Sequence, residues 1–388
     1  MLKRILNLPE SNSFFLFGPR QTGKTLLVNA SYAENRLRTY DLLKTDEYMR
    51  LAAHPALFRQ EVQALSSKIT HVFVDEVQRL PALLNEVHLL IESGVPQRFI
   101  LTGSSARKLK RSQANLLAGR AWTLRLHPLT HVEIGETFSL EKALSAGTLP
   151  RIYLEPDSHA AQQFLRSYVE TYLKEEIEAE AILRNTGVFL RFLLQASHEN
   201  GKLLNYASIA RETGTTHPTV KEYYKILEDT LLGVFLLPFH KSPRKRLGQH
   251  PKFYFFDTGV LRALQKKLTL ELQSGTFEYG QLFETWMITE TFRLCSYLEK
   301  DFEFSYLRTE RGAEVDLVID TPKGKRIAVE FKSSANPSPA DCRAGFRAIR
   351  ELDKNIRALC VCTAPHARHV EDFDLLPWRD YFQWLQAE

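Results

Sequence analysis

Cysteine is scarce in this chain. There are four, Cys295, Cys342, Cys360 and Cys362, and none lies in a CxxC spacing. Cys360 and Cys362 fall in an apolar, strand-like run from Ala358 to Thr363, where buried reduced thiols are the ordinary state. A reducing cytoplasm is the expected setting. Long apolar runs are missing too: the longest uncharged one, Leu231 to Phe239, is far too short to span a bilayer, so no membrane partner is expected. The N-terminal Met1-Leu2-Lys3-Arg4-Ile5 is interrupted by Asn7, Pro9 and Glu10 before a signal-peptide core could form. Neither charge sign dominates. Lys and Arg total 51 against 46 Asp and Glu, and the net charge of +5 leans toward an acidic partner without proving one. With 25% charged and 44% apolar residues, long disorder is excluded, and 388 residues provide for two or three domains with real cores.

What is present begins with residues 18–25, Gly-Pro-Arg-Gln-Thr-Gly-Lys-Thr. An uncharged aromatic run, Ser13 to Phe17, precedes it as a buried parallel strand would, and Leu26-Leu27-Val28 follows as the opening of a helix. Strand, loop and helix in that order make a phosphate-binding loop. Gly18 and Gly23 let the backbone bend, and with Pro19, Arg20, Gln21 and Thr22 they form a cradle of N–H groups for phosphate oxygens. Lys24 supplies a point charge for the β- and γ-phosphates, and the Thr25 hydroxyl reaches a Mg²⁺. ATP and Mg²⁺ are the cofactors expected.

Beyond the loop, His71-Val72-Phe73-Val74 is an apolar strand that ends in Asp75-Glu76. Asp75 is expected to hold the Mg²⁺ through water and Glu76 to polarise the attacking water. An acidic pair alone is usually a strand end; after a good phosphate loop it carries weight. Arg98–Thr102 predicts another strand, with Thr102 placed to sense the γ-phosphate, and Thr39–Leu42 and Trp122–Leu126 predict two more. Alternating strands and helices give a parallel sheet and an α/β fold.

Gly18–Thr25, Val72–Glu76, Leu101-Thr102-Gly103-Ser104 and Ala118-Gly119-Arg120 together resemble a prokaryotic group of AAA+-type ATPases that carry a characteristic C-terminal domain. The resemblance spans most of the chain. It implies ATP hydrolysis in a homo-oligomer, a ring for which a hexamer is one form, where an arginine of one subunit completes its neighbour's site. Arg120 is the first choice for that finger and Arg111 the second. The competing reading makes Arg107, Lys108, Lys110, Arg111 and Arg120 a solvated or nucleic-acid-facing basic surface.

Gly147-Thr148-Leu149-Pro150 closes this P-loop AAA+-type ATPase domain at 1–150. A helical lid follows, with Ser158–Leu183 read as helix and Lys174-Glu175-Glu176 on its exposed face. Tyr206–Thr213, a Gly214 turn and a second helix near Pro218 form a helix-turn-helix pattern. On the second helix Val220, Tyr223, Tyr224, Leu227 and Leu231 make one apolar stripe. Thr215, His217, Thr219, Lys221 and Lys225 remain to meet a nucleic acid. Val234–Phe239 and Lys252–Phe256 predict a hairpin with Lys241, Arg244, Lys245 and Arg246 at its tip, the basic wing of a winged helix. Winged helices also serve as protein-binding or structural lids, and that alternative stays open for the 151–262 unit.

In residues 263–388, strict alternation on both sides of Pro322-Lys323-Gly324-Lys325 predicts a second hairpin. With a Thr321–Lys325 loop, Val315, Leu317 and Ile319 face the core, while Glu314 stands opposite Lys332 and Asp316 opposite Glu330. Two acids directly across a ladder need a cation between them, and Mg²⁺ is the simplest. This layout resembles the PD-(D/E)xK nuclease superfamily, in particular its Holliday-junction-resolvase-like branch, with the restriction-endonuclease-like α/β fold. The resemblance implies Asp316 and Glu330 as metal ligands, Glu284 from the preceding helix as a third, and Lys332 to orient water or neutralise the scissile phosphate. Val315 stands where the superfamily's proline would be. Two other readings remain: ordinary cross-strand ion pairs, and a nuclease fold that binds DNA without cutting.

The expected function is therefore an ATP-driven enzyme acting on DNA, branched or broken ends above all. The alternative is a regulatory NTPase switch whose oligomer engages protein partners and whose C-terminal domain only recognises. A metabolic kinase is disfavoured, because the second half offers no small-molecule acceptor site.

Overall fold

The architecture comes from a computed structural model that describes residues 2–104, 107, 117, 119–173, 186–239 and 250–388, with 172, 173 and 186 by backbone alone. Ser105, Lys108, Lys110, Arg111, Ala118, the Lys174-Glu175-Glu176 face and the hairpin tip with Lys241, Arg244, Lys245 and Arg246 lie outside the described residues.

In the N-terminal unit, β1 (Phe14–Phe17), β2 (Leu37–Asp41), β3 (His71–Asp75), β4 (Arg98–Gly103) and β5 (Trp122–Arg125) form one sheet in the order β2-β3-β4-β1-β5, every pair parallel. The inner strands are apolar on both faces because helices cover both. Phe15, Phe17, Val72 and Leu101 pack toward α3 (Ala56–Gln63) and α4 (Leu83–Glu92). Phe14, Leu16, Phe73 and Ile100 pack on the other side with Leu27 and Val28 of α1 (Lys24–Ser31). A further helix, α2 (Thr45–Ala53), follows β2. Strand order places β4 between β1 and β3, so the loop after β1 and the acids at the end of β3 flank Thr102.

Short helices α5 (His131–Ile134), α6 (Leu140–Ala146) and α7 (Pro150–Tyr153) lead out of this unit, and α8 (Ser158–Ser167) runs into π-helical turns at Tyr168–Leu173. A capping box starts α5: Thr130 takes the Glu133 N–H, and the Glu133 carboxylate returns to the Thr130 N–H. After α9 (Thr186–His198) come α10 (Tyr206–Thr213) and α11 (His217–Asp229), a helix-turn-helix with Gly214 at φ +69° between them and Thr216 capping the second helix. Val220, Tyr223, Tyr224 and Leu227 are buried as the stripe predicts. Leu231 is not part of it. The helix ends at Asp229, the Thr230 hydroxyl donates back to the Ile226 carbonyl, and Leu231 turns at φ +59° to pack against the N-terminal core.

The predicted wing strands pair as a hairpin, β6 (Gly233–Pro238) with β7 (Lys252–Phe255). They do not stand apart. β6 joins β8 (Glu303–Arg308) in parallel, and the sheet continues through β9 (Glu314–Asp320), β10 (Arg326–Lys332), β11 (Arg357–Cys362), β13 (Phe373–Pro377) and β12 (Arg368–Val370). This sheet is mixed. Around it lie α12 (Thr258–Leu264), α13 (Phe277–Tyr297), α14 (Ala340–Leu352) and α15 (Trp378–Ala387). One apolar core takes in Leu129, Leu165, Leu227, Phe253, Trp286 and Leu385, so no packing boundary falls at residue 262. The molecule is of mixed α/β class, a parallel-sheet N-terminal domain followed by a helical middle and a mixed-sheet C-terminal domain. Among the described residues no helix is long and apolar enough to cross a membrane.

At Gly345 of α14 helix and sheet lie close together, and an added Cβ would lie 1.9 Å from the Glu314 carbonyl oxygen and 3.0 Å from Glu330 Oε1. Gly345→Ala is expected to force α14 off β9 and cost about 1–3 kcal/mol, read as a lower urea midpoint at unchanged slope.

Candidate functional site

At the C-terminal end of β1 the chain turns through Gln21 at φ +65° and Gly23 at φ +92°, which opens the loop ahead of α1. Gly18 has no room for a side chain, since a Cβ would lie 2.3 Å from the Leu126 carbonyl oxygen. The buried Lys24 ammonium donates to the carbonyls of Gly18 at 2.8 Å and Pro19 at 3.2 Å, folded back over its own loop. The Thr22 hydroxyl closes the turn onto the Pro19 carbonyl at 2.9 Å. Gln21 Oε1 is buried with no hydrogen-bond partner.

Facing this loop, Asp75 accepts from the Thr25 hydroxyl through Oδ2 at 2.7 Å and from the Thr102 hydroxyl through Oδ1. Glu76 follows in the left-handed region at φ +59°, its N–H donating to Thr102 Oγ1 at 3.4 Å. Its carboxylate accepts from the Gln78 side chain, which also donates to Ser104 Oγ at 3.4 Å. Thr25, Asp75, Glu76 and Thr102 thus form one connected group beside the loop. Gln78 is a member that sequence reading missed, although its place two residues past the acidic pair was a signal. A hard cation suits this donor set, because a carboxylate and two hydroxyls are oxygen ligands side by side.

Arg120 is elsewhere. It follows the left-handed Gly119 and precedes β5, whose Trp122 pairs with Phe14 at the start of β1, and its guanidinium meets Glu92 at the end of α4. That is the end of the sheet away from the phosphate loop, so it cannot reach the phosphates of its own subunit.

Arg4 and Tyr168 hold the loop from outside its own sheet. Arg4 is buried and donates to the Thr22 carbonyl at 2.9 Å, the His127 carbonyl at 2.6 Å, Tyr297 Oη at 3.0 Å and the Glu133 carboxylate at 2.9 Å. Tyr168, at the π-helical turn, donates to the Arg20 carbonyl at 3.4 Å. Arg107 binds Glu222 and Asp229 of α11, joining the segment after β4 to the helix-turn-helix. On α11 Lys225 pairs with Glu228 at 2.7 Å and Asp229 at 3.3 Å, while His217 and Lys221 are exposed, Lys221 over the Tyr206 ring, and Thr219 is half-buried with its hydroxyl on Thr216.

In the C-terminal domain the β9–β10 register is the one read from the hairpin loop, from Arg326↔Asp320 to Val329↔Leu317. The ladder ends there. A register shift against β8 breaks the strict alternation near Asp316, so Val315 joins the core that holds Val318 and Cys342 instead of the one that holds Leu317 and Ile319. Among the described residues Glu314 takes other partners than Lys332, while Asp316 stays beside Glu330. Asp316 Oδ2 accepts the Phe331 N–H at 2.8 Å, Lys332 pairs with Glu330 on its own strand at 3.0 Å, and Glu314 pairs with Lys252 at 2.5 Å and Arg308 at 3.4 Å.

Lys252 was not foreseen. It is the first residue of β7, 3% exposed, and its ammonium lies 3.6 Å from Glu284 Oε1, which also accepts from the Tyr254 hydroxyl at 2.6 Å. Burial opposes its charge, but Tyr254, Glu284, Asp316 and Glu314 hold its pKa well above the usual lysine value. Burial also raises the pKa of Glu284 and, with Asp316 nearby, that of Glu330, the latter well above the carboxylate range. Among the described residues no group of three or more His, Cys, Asp or Glu side chains could hold a metal ion.

Three family models match the chain in tandem: an AAA domain over residues 10–135, a domain of unknown function (DUF8612) over 137–272 and a domain of unknown function (DUF4143) over 279–381. The N-terminal parallel-sheet unit is the part that matches the AAA domain. An uncharacterized protein of Haemophilus influenzae is 21% identical over 228 residues, 54% of this chain and 56% of that protein, so the chain spans about half the length of the curated relative it matches. A Signal Transduction ATPase with Numerous Domains (STAND) protein with a tetratricopeptide repeat sensor, from Pyrococcus horikoshii, aligns at a TM-score of 0.24 and 11% identity over 74% of this chain and 45% of that one.

Arg4→Ala leaves Glu133 buried without its cation and is expected to cost about 3–5 kcal/mol in urea unfolding. Arg4→Lys should recover only part of that, since one ammonium cannot reproduce the guanidinium's geometry of donors.

Proposed function

We propose that this chain is a Mg²⁺-dependent ATPase that acts on DNA as a homo-oligomer. The ATPase part is carried by the connected group of Thr25, Asp75, Thr102 and Glu76 beside the phosphate loop. Thr25 and Asp75 would hold the Mg²⁺, which when bound offsets charge across the β- and γ-phosphates. Lys24 exchanges the carbonyls of Gly18 and Pro19 for phosphate oxygens. Glu76 takes the proton of the attacking water, with Gln78 fixing where its carboxylate points. Thr102 holds Asp75 and the Glu76 backbone together. Arg120, remote from its own loop, acts only toward a neighbouring subunit.

DNA is the partner favoured by the exposed His217 and Lys221 of α11 and by the net charge of +5. Arg107 is the link that carries nucleotide state to α11. A second reading, a switch that regulates protein partners through a non-cutting C-terminal domain, is favoured by Lys252 among the acids of that domain.

ATP hydrolysis with and without duplex, single-stranded and four-way-junction DNA tests both. Lys24→Ala should abolish hydrolysis. Glu76→Gln should retain nucleotide binding and lower turnover by about 10²- to 10⁴-fold. One DNA form should stimulate the wild type, and Arg107→Ala should lose that stimulation at unchanged basal turnover. Hydrolysis indifferent to every DNA form would sink the DNA reading and leave the switch.

A further inference from the structure

The C-terminal acids already have cations, and one of these arrives from outside their own hairpin. Lys252 reaches Glu314 and Glu284 from β7, with its ammonium also 5.4 Å from the centre of the Tyr306 ring. Its backbone is pinned on both sides. Leu203 bridges to Lys252 itself, the Leu204 N–H donates to the Pro251 carbonyl at 2.9 Å, and the Tyr306 hydroxyl donates to the His250 carbonyl. The lysine is therefore delivered to a fixed place. Tyr254, next but one on the same strand, holds the other side of the contact by donating to Glu284. The second cation, Lys332, is bound to Glu330, and Asp316 spends one carboxylate oxygen on the Phe331 N–H. Gly345 closes α14 down on Glu330 from the opposite face.

We propose that the Lys252 ammonium is the resident cation of the C-terminal acidic cluster, so that this domain takes no divalent metal and cuts no phosphodiester. The inference rests on reading the C-terminal domain as nuclease-like, and it states what became of that site. Lys252, Lys332 and Arg308 offset all but one of the four carboxylates Glu284, Glu314, Asp316 and Glu330. A divalent ion added to this group would have to displace an ammonium that is buried between its acids. The position of Lys252 against Glu284 and Glu314 is thus a substitute for metal. Removing the ammonium while keeping the chain's bulk leaves acids with a missing positive charge, and those acids are then free to take one up.

The test is Mn²⁺ binding to the nucleotide-free full chain, followed by calorimetry and by the electron-spin signal of free Mn²⁺, with DNA cleavage run alongside. It needs neither ATP turnover nor DNA stimulation, so its failure is separate from failure of the ATPase reading. Wild type should bind no Mn²⁺ in the C-terminal domain and leave DNA intact. Lys252→Met should gain a single Mn²⁺ site, lost again when Asp316→Asn is added, and Lys252→Gln serves if the methionine variant does not fold. Lys252→Arg keeps the charge and should stay metal-free. Mn²⁺ uptake or cleavage by wild type that disappears in Asp316→Asn overturns the proposal. So does a folded Lys252→Met or Lys252→Gln that remains metal-free. If both neutral variants fail to fold while Lys252→Arg folds, the cation is shown to be indispensable where it stands; Mn²⁺ uptake by Lys252→Arg would still overturn the assignment.

Discussion

The guanidinium of Arg4 is the point at which the N-terminal unit meets the C-terminal domain. It touches the Thr22 carbonyl in the phosphate loop, His127 and Glu133 in the segment leaving the parallel-sheet unit, and Tyr297 at the end of α13. Buried charge is tolerated only where hydrogen bonds and an opposite charge compensate it, and Arg4 has both. A planar cation with five donors can hold several acceptors in fixed directions, which a lysine cannot. The phosphate loop is therefore not an isolated turn on a sheet edge. Its backbone carbonyls at Arg20 and Thr22 are gripped by Tyr168 and Arg4, so a shift of the loop is felt in the lid and in α13.

Helix α13 then extends that contact through the second half. Tyr297 near its C-terminus meets Arg4; Arg293 donates to the Leu129 carbonyl, Thr148 Oγ1 and the Phe256 carbonyl; and Glu290 accepts from the His131 N–H. Toward its N-terminus Glu284 faces Lys252. The helix rises about 1.5 Å per residue, so the two ends of this relay are roughly 20 Å apart on one rigid element. With α13 anchored to the linker at three levels, the nucleotide end and the acidic cluster are parts of one mechanical unit. The sheet agrees with this: β6 and β7, taken from sequence as a separate wing, are two of its strands.

Local patterns were legible in the sequence where they are set by neighbours along the chain. The strands around the phosphate loop read correctly because parallel strands covered on both faces must be apolar throughout, as Phe14–Phe17 and His71–Asp75 are. The helix-turn-helix read correctly because Thr216, Pro218 and Gly214 are start and stop signals with a local mechanism. Leu231 was misplaced because apolar spacing continues past a helix end that only a positive φ and a Thr230 hydroxyl mark. The break near Asp316 was invisible for a related reason: an irregularity in pairing leaves residue types unchanged while it turns Val315 to another core. Arg4, Lys252 and Arg107 were the hardest to find. Their partners lie far away in sequence, at Tyr297, Glu284 and Asp229, and no periodicity connects residues that meet only through the tertiary fold.

The two acidic groups of this molecule differ in what neutralises them, and that difference separates their chemistry. Asp75 is held by the hydroxyls of Thr25 and Thr102. A hydroxyl that donates to a carboxylate can rotate, release it and present a lone pair instead, so the group exchanges a proton contact for a cation at small cost. Glu314 and Glu330 are held by ammonium groups, which have three donors and no lone pair to offer, and the same Lys252 ammonium stands 3.6 Å from Glu284, whose hydrogen bond comes from Tyr254. Displacing a buried ammonium means moving a charge, and in a weakly polarisable interior that costs several kcal/mol. Acids alone therefore do not define a metal site. The side chains that satisfy them decide whether the cation they need can come from solution or has already been supplied by the chain.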